Sequence, residues 1–464
     1  MGWDWTHKKV VIYQTDDFNE IKNLERGKYR VPTGDKPLIG FFPAFASMGE
    51  AIPLVKIAQS YMDVGGKAIF FSHNRKFEYL AEDIGCKVVR LDHLLGKNPE
   101  KIIKLYKKGI PFEKILIRRF TRETIEKAVE EEIKAFKENR VELIVSAFTL
   151  TCSISARALK IPLVVVTSGV GTSPYYESGH LTFPEDYENL LTKMIPESLK
   201  KQIAKWYLLH NKKLTREFNK VASTYHVSPF KYMKDINLGD HTLICDDINF
   251  LGVQPSEDFP SENYIGPIIS GTSDEKQNTE MDTEIESHLK RSGKSIVLVM
   301  GSSFNYRNLF PEIVGTLNKT DYTVIAVYKD INDSDLIFKT NENILFKEFI
   351  PLDRVLKKVD LAIIHGGRGT VYTVAYSGKP AIGIPITFEH QCNIDNLVRA
   401  GAGIRLSKRN LDSKRIFKAI NTIFDNYSVF LQNSQNLSKT LTGESGEKKA
   451  VQRLIEIHQS YQKK

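Results

Sequence analysis

The residues with the most chemistry in their spacing lie between Leu361 and Asn393, in LAIIHGGRGTVYTVAYSGKPAIGIPITFEHQCN. An apolar run ends at Ile364. His365, Gly366, Gly367, Arg368, Gly369 and Thr370 follow, and then a helical pattern begins. Glycines at a strand-to-helix turn let the main chain approach a ligand closely and turn successive N–H groups inward. The helix start adds about half a positive charge, so a phosphate or diphosphate is the natural guest. Thr370 offers a hydroxyl and His365 an imidazole nitrogen to phosphate oxygens. Such a cradle stabilises a departing diphosphate with no metal ion. The plainer alternative is a tight turn in which glycine merely permits the backbone.

A second strand end follows close behind. After Ala381–Ile384 come Pro385, Phe388, Glu389, His390 and Asn393. A carboxylate there accepts hydrogen bonds from sugar hydroxyls. In the first half, His180 ends the loop Gly171-Thr172-Ser173-Pro174-Tyr175-Tyr176-Glu177-Ser178-Gly179-His180, where it is placed to meet a second substrate or serve as a base. A lone loop histidine is more often simply solvated. Two other signals fail. Ser292-Gly293-Lys294-Ser295 ends like a P-loop, but His288 stands where the first glycine is required. Glu389-His390-Gln391-Cys392 offers zinc-ligand types at a spacing that matches no known site.

The elements that must position these groups alternate in the α/β manner. Short apolar runs at Leu38–Phe45, Lys67–Ser72, Leu143–Val145 and Leu163–Thr167 read as buried strands. Helical patterns at 51–64, 125–136 and 151–159 separate them. The polar stretch 271–284 contains one Met and no other hydrophobic residue, as in an interdomain linker. A second series follows, with strands at 295–300, 323–327, 344–346, 361–364 and 381–384 and a last helix over 443–461. The pattern predicts two Rossmann-like domains facing a cleft, with ligands at the carboxyl ends of the strands.

The 464 residues carry 65 Lys+Arg against 56 Asp+Glu, a net charge of +9, with 41% hydrophobic residues. That composition excludes a wholly disordered chain. No apolar run approaches the roughly 20 residues of a membrane span. The first residues lack an apolar core, which argues against secretion. The four cysteines are widely spaced and read as buried free thiols of a reducing compartment. Positive charge is concentrated. Between Lys101 and Phe120 there are seven basic residues and one acid, with apolar residues interleaved, and 200–220 is a second basic stretch. Such segments suit an anionic membrane surface or steer an anionic substrate. They equally suit a solvated helix face. No nucleic-acid-binding motif occurs.

Taken together, His-Gly-Gly-x-Gly-Thr at 365–370, Gly378 to Pro380, Pro385 to Asn393 and Gly401 to Gly403 resemble the donor signature of the family 1 UDP-sugar glycosyltransferases. The resemblance extends to Glu348–Leu352, Tyr264–Pro267, Met300–Ser303 and Gly49–Leu54, covers most of the chain after residue 37, and leaves the first 36 residues outside. It implies the GT-B fold and an inverting, metal-independent transfer of a hexose from a nucleotide diphosphate sugar, UDP-sugar first among them. The acceptor is a hydroxyl of a small molecule or lipid, and no cofactor is required beyond the nucleotide sugar.

By the same resemblance His365, Gly366, Gly367, Gly369 and Thr370 bind the diphosphate, helped by Ser302 and Ser303. Glu389 and His390 meet the sugar, and Phe349 and Ile350 cover the base. Three positions depart from the family. Glu50 stands where the catalytic histidine is usual, and Ala147 near its partner aspartate. Thr373 replaces the glutamate that binds ribose. Glu50 is thus the candidate base and acceptor contact, although a helix start is expected to hold its carboxyl low. The implied domains are an extension over 1–36, an acceptor half over 37–268, a linker over 269–284, a donor half over 285–442 and a closing helix over 443–464. A cytoplasmic protein, peripheral at the inner face of the membrane through 101–120 and 200–220, is the matching location. A sugar-nucleotide hydrolase, a 2-epimerase and a non-catalytic sugar-nucleotide binder are the alternatives.

Overall fold

The computed structural model describes residues 36–45, 48–73, 76–92, 117–269, 283–291, 293–301, 309–328, 341–441 and 445–462, and the backbone alone at 2–4 and 9–11. Residues 270–282 of the expected linker and most of the basic segment 101–120 lie outside the described residues, while the linker's last two residues, Thr283 and Glu284, begin a helix. So do Ser302 and Ser303.

A short antiparallel ribbon, β1 (Gly2–Asp4) and β2 (Lys9–Val11), precedes two six-stranded parallel sheets. The first contains β3 (Leu38–Pro43), β4 (Lys67–Ser72), β5 (Lys87–Arg90), β6 (Leu143–Ala147), β7 (Leu163–Thr167) and β8 (His241–Ile244), in the order β5-β4-β3-β6-β7-β8. The second contains β9 (Ser295–Val299), β10 (Thr323–Val327), β11 (Ile344–Lys347), β12 (Leu361–Ile364), β13 (Ala381–Gly383) and β14 (Gly403–Arg405), in the order β11-β10-β9-β12-β13-β14. Both follow the doubly wound order in which the winding reverses beside the first strand. The crevices created by that reversal lie at the carboxyl ends of β3 and β6, and of β9 and β12. The α/β GT-B architecture of two Rossmann-like domains is therefore present.

The strands are apolar on both faces because helices cover both faces. In the first sheet Ile39, Phe41, Phe70, Val145 and Val164 face one layer, while Phe42, Phe71, Ile144 and Val165 face the other. The first layer is α1 (Met48–Asp63), which contributes Leu54, Ile57, Ala58 and Tyr61. The second is α2 (Arg122–Glu138) and α3 (Cys152–Ala158), which contribute Phe136, Cys152 and Ala156. Further on come α4 (Glu197–His210), α5 (Arg368–Ser377), α6 (Phe388–Arg399) and α7 (Gly446–Gln462). Helix α7 crosses back to the first half, where Ala450, Val451, Leu454 and Ile455 join the core under α1.

Several expected boundaries move. The first helix begins at Met48 rather than Ala51, so Glu50 lies inside its first turn. Besides β1 and β2, three strands of the two parallel sheets are not announced by the patterning: β5, β8 and β14. All are at sheet edges, with short and partly polar sequences, KVVR, HTLI and GIR. All four cysteines are buried and unpaired.

Candidate functional site

The anion turn is built on β12, whose four residues Leu361–Ile364 are fully buried. Gly367 forms the N-cap of α5 with no side-chain cap bond. Val371 N–H reaches the Gly367 carbonyl at 2.9 Å, and the N–H groups of the preceding turn have no intrahelical acceptor, as in any α-helix start. Gly366 has φ +94, and a Cβ there would come within 2.7 Å of the His390 carbonyl. Its own carbonyl accepts from Asn393 Nδ2 at 3.1 Å, which ties the turn to α6.

His365 is buried beneath this turn, its Nε2 edge against Gly301 and Gly367. A Cβ at Gly367 would lie 2.4 Å from that nitrogen. Its Nδ1 lies 3.4 Å from the Val299 carbonyl at the end of β9. Burial lowers the imidazole pKa to about 4, so the ring is neutral at pH 7. His390 packs edge-on, with ring centroids 5.0 Å apart, and is also held neutral by burial and by His365. The structure thus brings together His365, Gly366, Gly367, His390 and Asn393, which the sequence separates by 28 positions at most.

A charged cluster lies where α5 meets the first half. Arg368 Nη2 donates to the Gly49 carbonyl across the cleft at 3.2 Å. That carbonyl is available for a covalent reason. Its intrahelical donor would be residue 53, and Pro53 has no N–H. Glu50, Glu389 and Asp246 all feel the Arg368 charge. Glu50 is partly open to the cleft but crowded by protein. Burial, with the Glu389 charge adding, raises its pKa from 4.5 to about 7, and Arg368 offsets part of this. The expectation that the helix start holds this carboxyl low is therefore overturned: desolvation outweighs the dipole. The Glu389 carboxyl lies at the exposed start of α6, and crowding also pushes it up against the pull of Arg368. Asp246, at the end of β8, is buried and accepts from Gly169 N–H at 2.6 Å and Ser168 Oγ at 3.1 Å. Ala147 ends β6 opposite Pro43, with only a methyl near the position of an orienting acid.

The other expected residues are distributed around this centre. Phe349, after β11, is 72% exposed and free to stack, whereas Ile350 is packed into the core. Thr373 Oγ1 donates to the Gly369 carbonyl at 2.8 Å. Thr370 lies half-buried in the first turn of α5. His180 Nε2 lies 3.1 Å from the Gly252 carbonyl, near Arg399, at another part of the seam. Sequence reasoning missed Arg368 and Asp246. Arg368 fills the variable position of the glycine motif, and Asp246 follows the unannounced strand β8. Pro53 four residues after Gly49 is the signal that a carbonyl there seeks a donor. Among the described residues no group of three or more His, Cys, Asp or Glu side chains is arranged to hold a metal ion.

Residues 311–457 match the family model described as erythromycin biosynthesis protein CIII-like, C-terminal domain. A Mycobacterium bovis PGL/p-HBAD biosynthesis rhamnosyltransferase is 24% identical over 310 residues, covering 65% of this chain and 64% of that protein. The human UDP-glucuronosyltransferase 2B10 is 23% identical over 343 residues, covering 70% of this chain and 62% of that one. The crystal structure of glycosyltransferase VinC in complex with DTDP superposes with a TM-score of 0.59 at 15% identity, covering 90% of this chain and all of that one. The donor half of this chain is thus similar to glycosyltransferases of family 1, and the chain shares the GT-B fold of the solved glycosyltransferases. The matched stretch spans less than two-thirds of either curated relative, and the structural likeness establishes the fold alone. Within this GT-B fold, the glycine turn and the carboxyl at the start of α1 sit at the two switch-point crevices, facing each other across the cleft.

Proposed function

We propose that the chain transfers a hexose from a nucleotide diphosphate sugar to a hydroxyl of a small-molecule or lipid acceptor, with inversion and without a metal ion. The observation that carries this reading is the pairing of an anion turn with a half-titrated carboxyl across one cleft, joined by Arg368 and Gly49. The diphosphate occupies the amides that open α5, with Thr370 alongside. With Nδ1–H turned to the Val299 carbonyl, His365 donates from Nε2 once the bound diphosphate's negative charge draws a second proton onto the ring. Ser302 and Ser303, which follow Gly301 in the sequence, are assigned to the same diphosphate by the family resemblance. The sugar lies toward Glu389 and His390, and the base toward Phe349.

The acceptor oxygen attacks the anomeric carbon from the side of Glu50. As that C–O bond forms, the bond to the diphosphate breaks, its electron pair stays on the departing oxygen, and the acceptor proton passes to Glu50. A carboxyl titrating near 7 is matched to that task in neutral solution. Fixed dipoles aimed at the developing charge supply most of the acceleration. The donor nucleotide is UDP in this reading. The UDP in one relative's name and the DTDP bound to one structural neighbour make uracil and thymine the two to test. A lipid acceptor and peripheral contact with an anionic inner membrane face belong to the same reading.

Thermal shift against UDP-, dTDP- and GDP-sugars, followed by product analysis with and without acceptor, tests the assignment. Sugar transfer to an acceptor with inversion, unaffected by EDTA, is expected. Release of free sugar without acceptor dependence would instead identify a hydrolase, an epimerised donor a 2-epimerase, and donor binding without turnover a binding protein.

A further inference from the structure

The strongest unexplained surface lies away from the cleft chemistry, on α4 and the short helix Leu190–Lys193 before it. Leu190, Leu191 and Met194 are 83%, 77% and 83% exposed, and Trp206 is 65% exposed. Leu199, Ile203 and Trp206 recur at helical spacing and form an outward stripe on α4, just after Leu190, Leu191 and Met194 in the chain. The opposite side of α4 packs inward through Ala204, Leu208 and Leu209. Lys200 is buried against Phe183 and pairs with Glu197 at 2.6 Å, while Leu199, Ile203 and Trp206 face outward. Scattered exposed apolar residues are ordinary, but six clustered ones mark an interaction surface.

The charge around the stripe identifies its partner. From Asn189 to Arg216 there are seven basic residues and one acid, Glu197, which Lys200 already engages. Lys193, Lys205, Lys212 and Lys213 are exposed beside the stripe. A two-fold contact between copies of this chain would set that positive charge against itself. A surface of anionic lipid complements it and accepts Trp, Leu and Met at headgroup depth. Among the described residues no helix is long and apolar enough to cross a membrane, so the contact is one that lies on the surface. We propose that this face docks the protein onto anionic membranes, with the stripe inserted and the lysines over the headgroups. The proposal specifies the membrane contact included in the functional reading, and narrows it to one face.

The contact is also placed to serve the cleft. Helix α4 packs on the short helix Ser173–Glu177, that helix on the turn Gly169–Gly171, and that turn on α6, which carries Glu389. Docking there holds the cleft near the lipid surface.

The test uses the full chain and vesicles of phosphatidylcholine with or without 30 mol% phosphatidylserine, followed by flotation. The chain has three tryptophans, Trp3, Trp5 and Trp206. In a Trp3→Phe/Trp5→Phe background, Trp206 emission should shift to the blue and be quenched by brominated lipid. Leu191→Ser/Met194→Ser/Trp206→Ser should bind at least tenfold more weakly, and each Lys→Gln change at 193 or 205 should cost roughly fivefold. Nucleotide-sugar thermal shifts should be unchanged in all of these variants. Failure of those shifts in the wild type would therefore count against the transferase reading and leave the docking result standing. Equal binding to neutral vesicles, no vesicle binding, or concentration-dependent dimers abolished by the triple serine variant would each overturn the proposal.

Discussion

Glu50→Gln separates a catalytic base from a residue that merely begins a helix. A carboxyl whose pKa rises from 4.5 to about 7 on folding penalises the folded state when it ionises. The penalty is absent below pH 4.5, grows through the interval and is complete above about 7. The full gap corresponds to roughly 3 kcal/mol. Solvent in the cleft screens part of it, which leaves about 1–3 kcal/mol. Glutamine keeps the shape and cannot ionise. The variant is therefore expected to be more stable than the wild type by about 1–3 kcal/mol at pH 8.5 and equal to it at pH 4.5. Activity should move the opposite way. Wild-type kcat/KM rises with pH through a limb near 7, because the free enzyme must hold the carboxylate form. The glutamine variant loses about two to four orders of magnitude, and its limb disappears. Urea midpoints and initial rates across the same buffers check both halves. An unchanged limb in the variant, or a stability difference that does not grow with pH, would refute the assignment.

Three further outcomes follow from the same geometry. Arg368→Ala removes the cation that lowers the Glu50, Glu389 and Asp246 carboxyls, so the limb should move above 7 and activity recover only in alkaline buffer; an unmoved limb in the pH–rate profile would deny Arg368 that influence. His365→Ala should cost about two to three orders of magnitude in kcat, the scale of one preorganised donor, and Gly367→Ala, whose Cβ would press on the same ring, should mimic it; calorimetry with UDP and dTDP reads the loss of binding, and near-wild-type turnover in either variant would remove the diphosphate role. Tyr372→Phe leaves the buried Asp247 N–H without the phenol oxygen it now meets at 2.8 Å, at a cost of about 1–3 kcal/mol in urea stability; no loss would show that this bond between the halves is dispensable.

The central strands and the glycine turn are legible because their signals are strong and local. Leu361–Ile364 is an unbroken apolar run buried on both faces, and the glycines that follow have few other uses. The edge strands are not legible, since a strand with one open edge and mixed burial, such as Lys87–Arg90, lacks a clear period. That failure spread to the site. Without β8, nothing placed Asp246 at a strand end, and its charge went unread. The pKa of Glu50 was illegible for another reason. Sequence position supplies the helix dipole, but desolvation depends on what the second half brings across the cleft. Arg368 was hidden by its own motif, where it reads as the one interchangeable letter.

That hidden residue explains how a carboxyl can stand where a histidine is usual. A carboxylate in water is too weak a base for an alcohol. Crowding alone would strengthen it, but with Glu389 beside it and Asp246 on the same cation the group would be left protonated and useless at neutral pH. Arg368 limits the rise to about 7 rather than abolishing it. The same side chain follows Gly367 and therefore moves with the turn proposed to hold the diphosphate. As the leaving group gains negative charge, proton uptake by Glu50 becomes easier, because each neutralises what the other adds to the field at Arg368. In the proposed reaction, departure of the diphosphate and deprotonation of the acceptor would then be coupled through one guanidinium. On that proposal a histidine and its orienting acid would not be needed to make the transfer concerted.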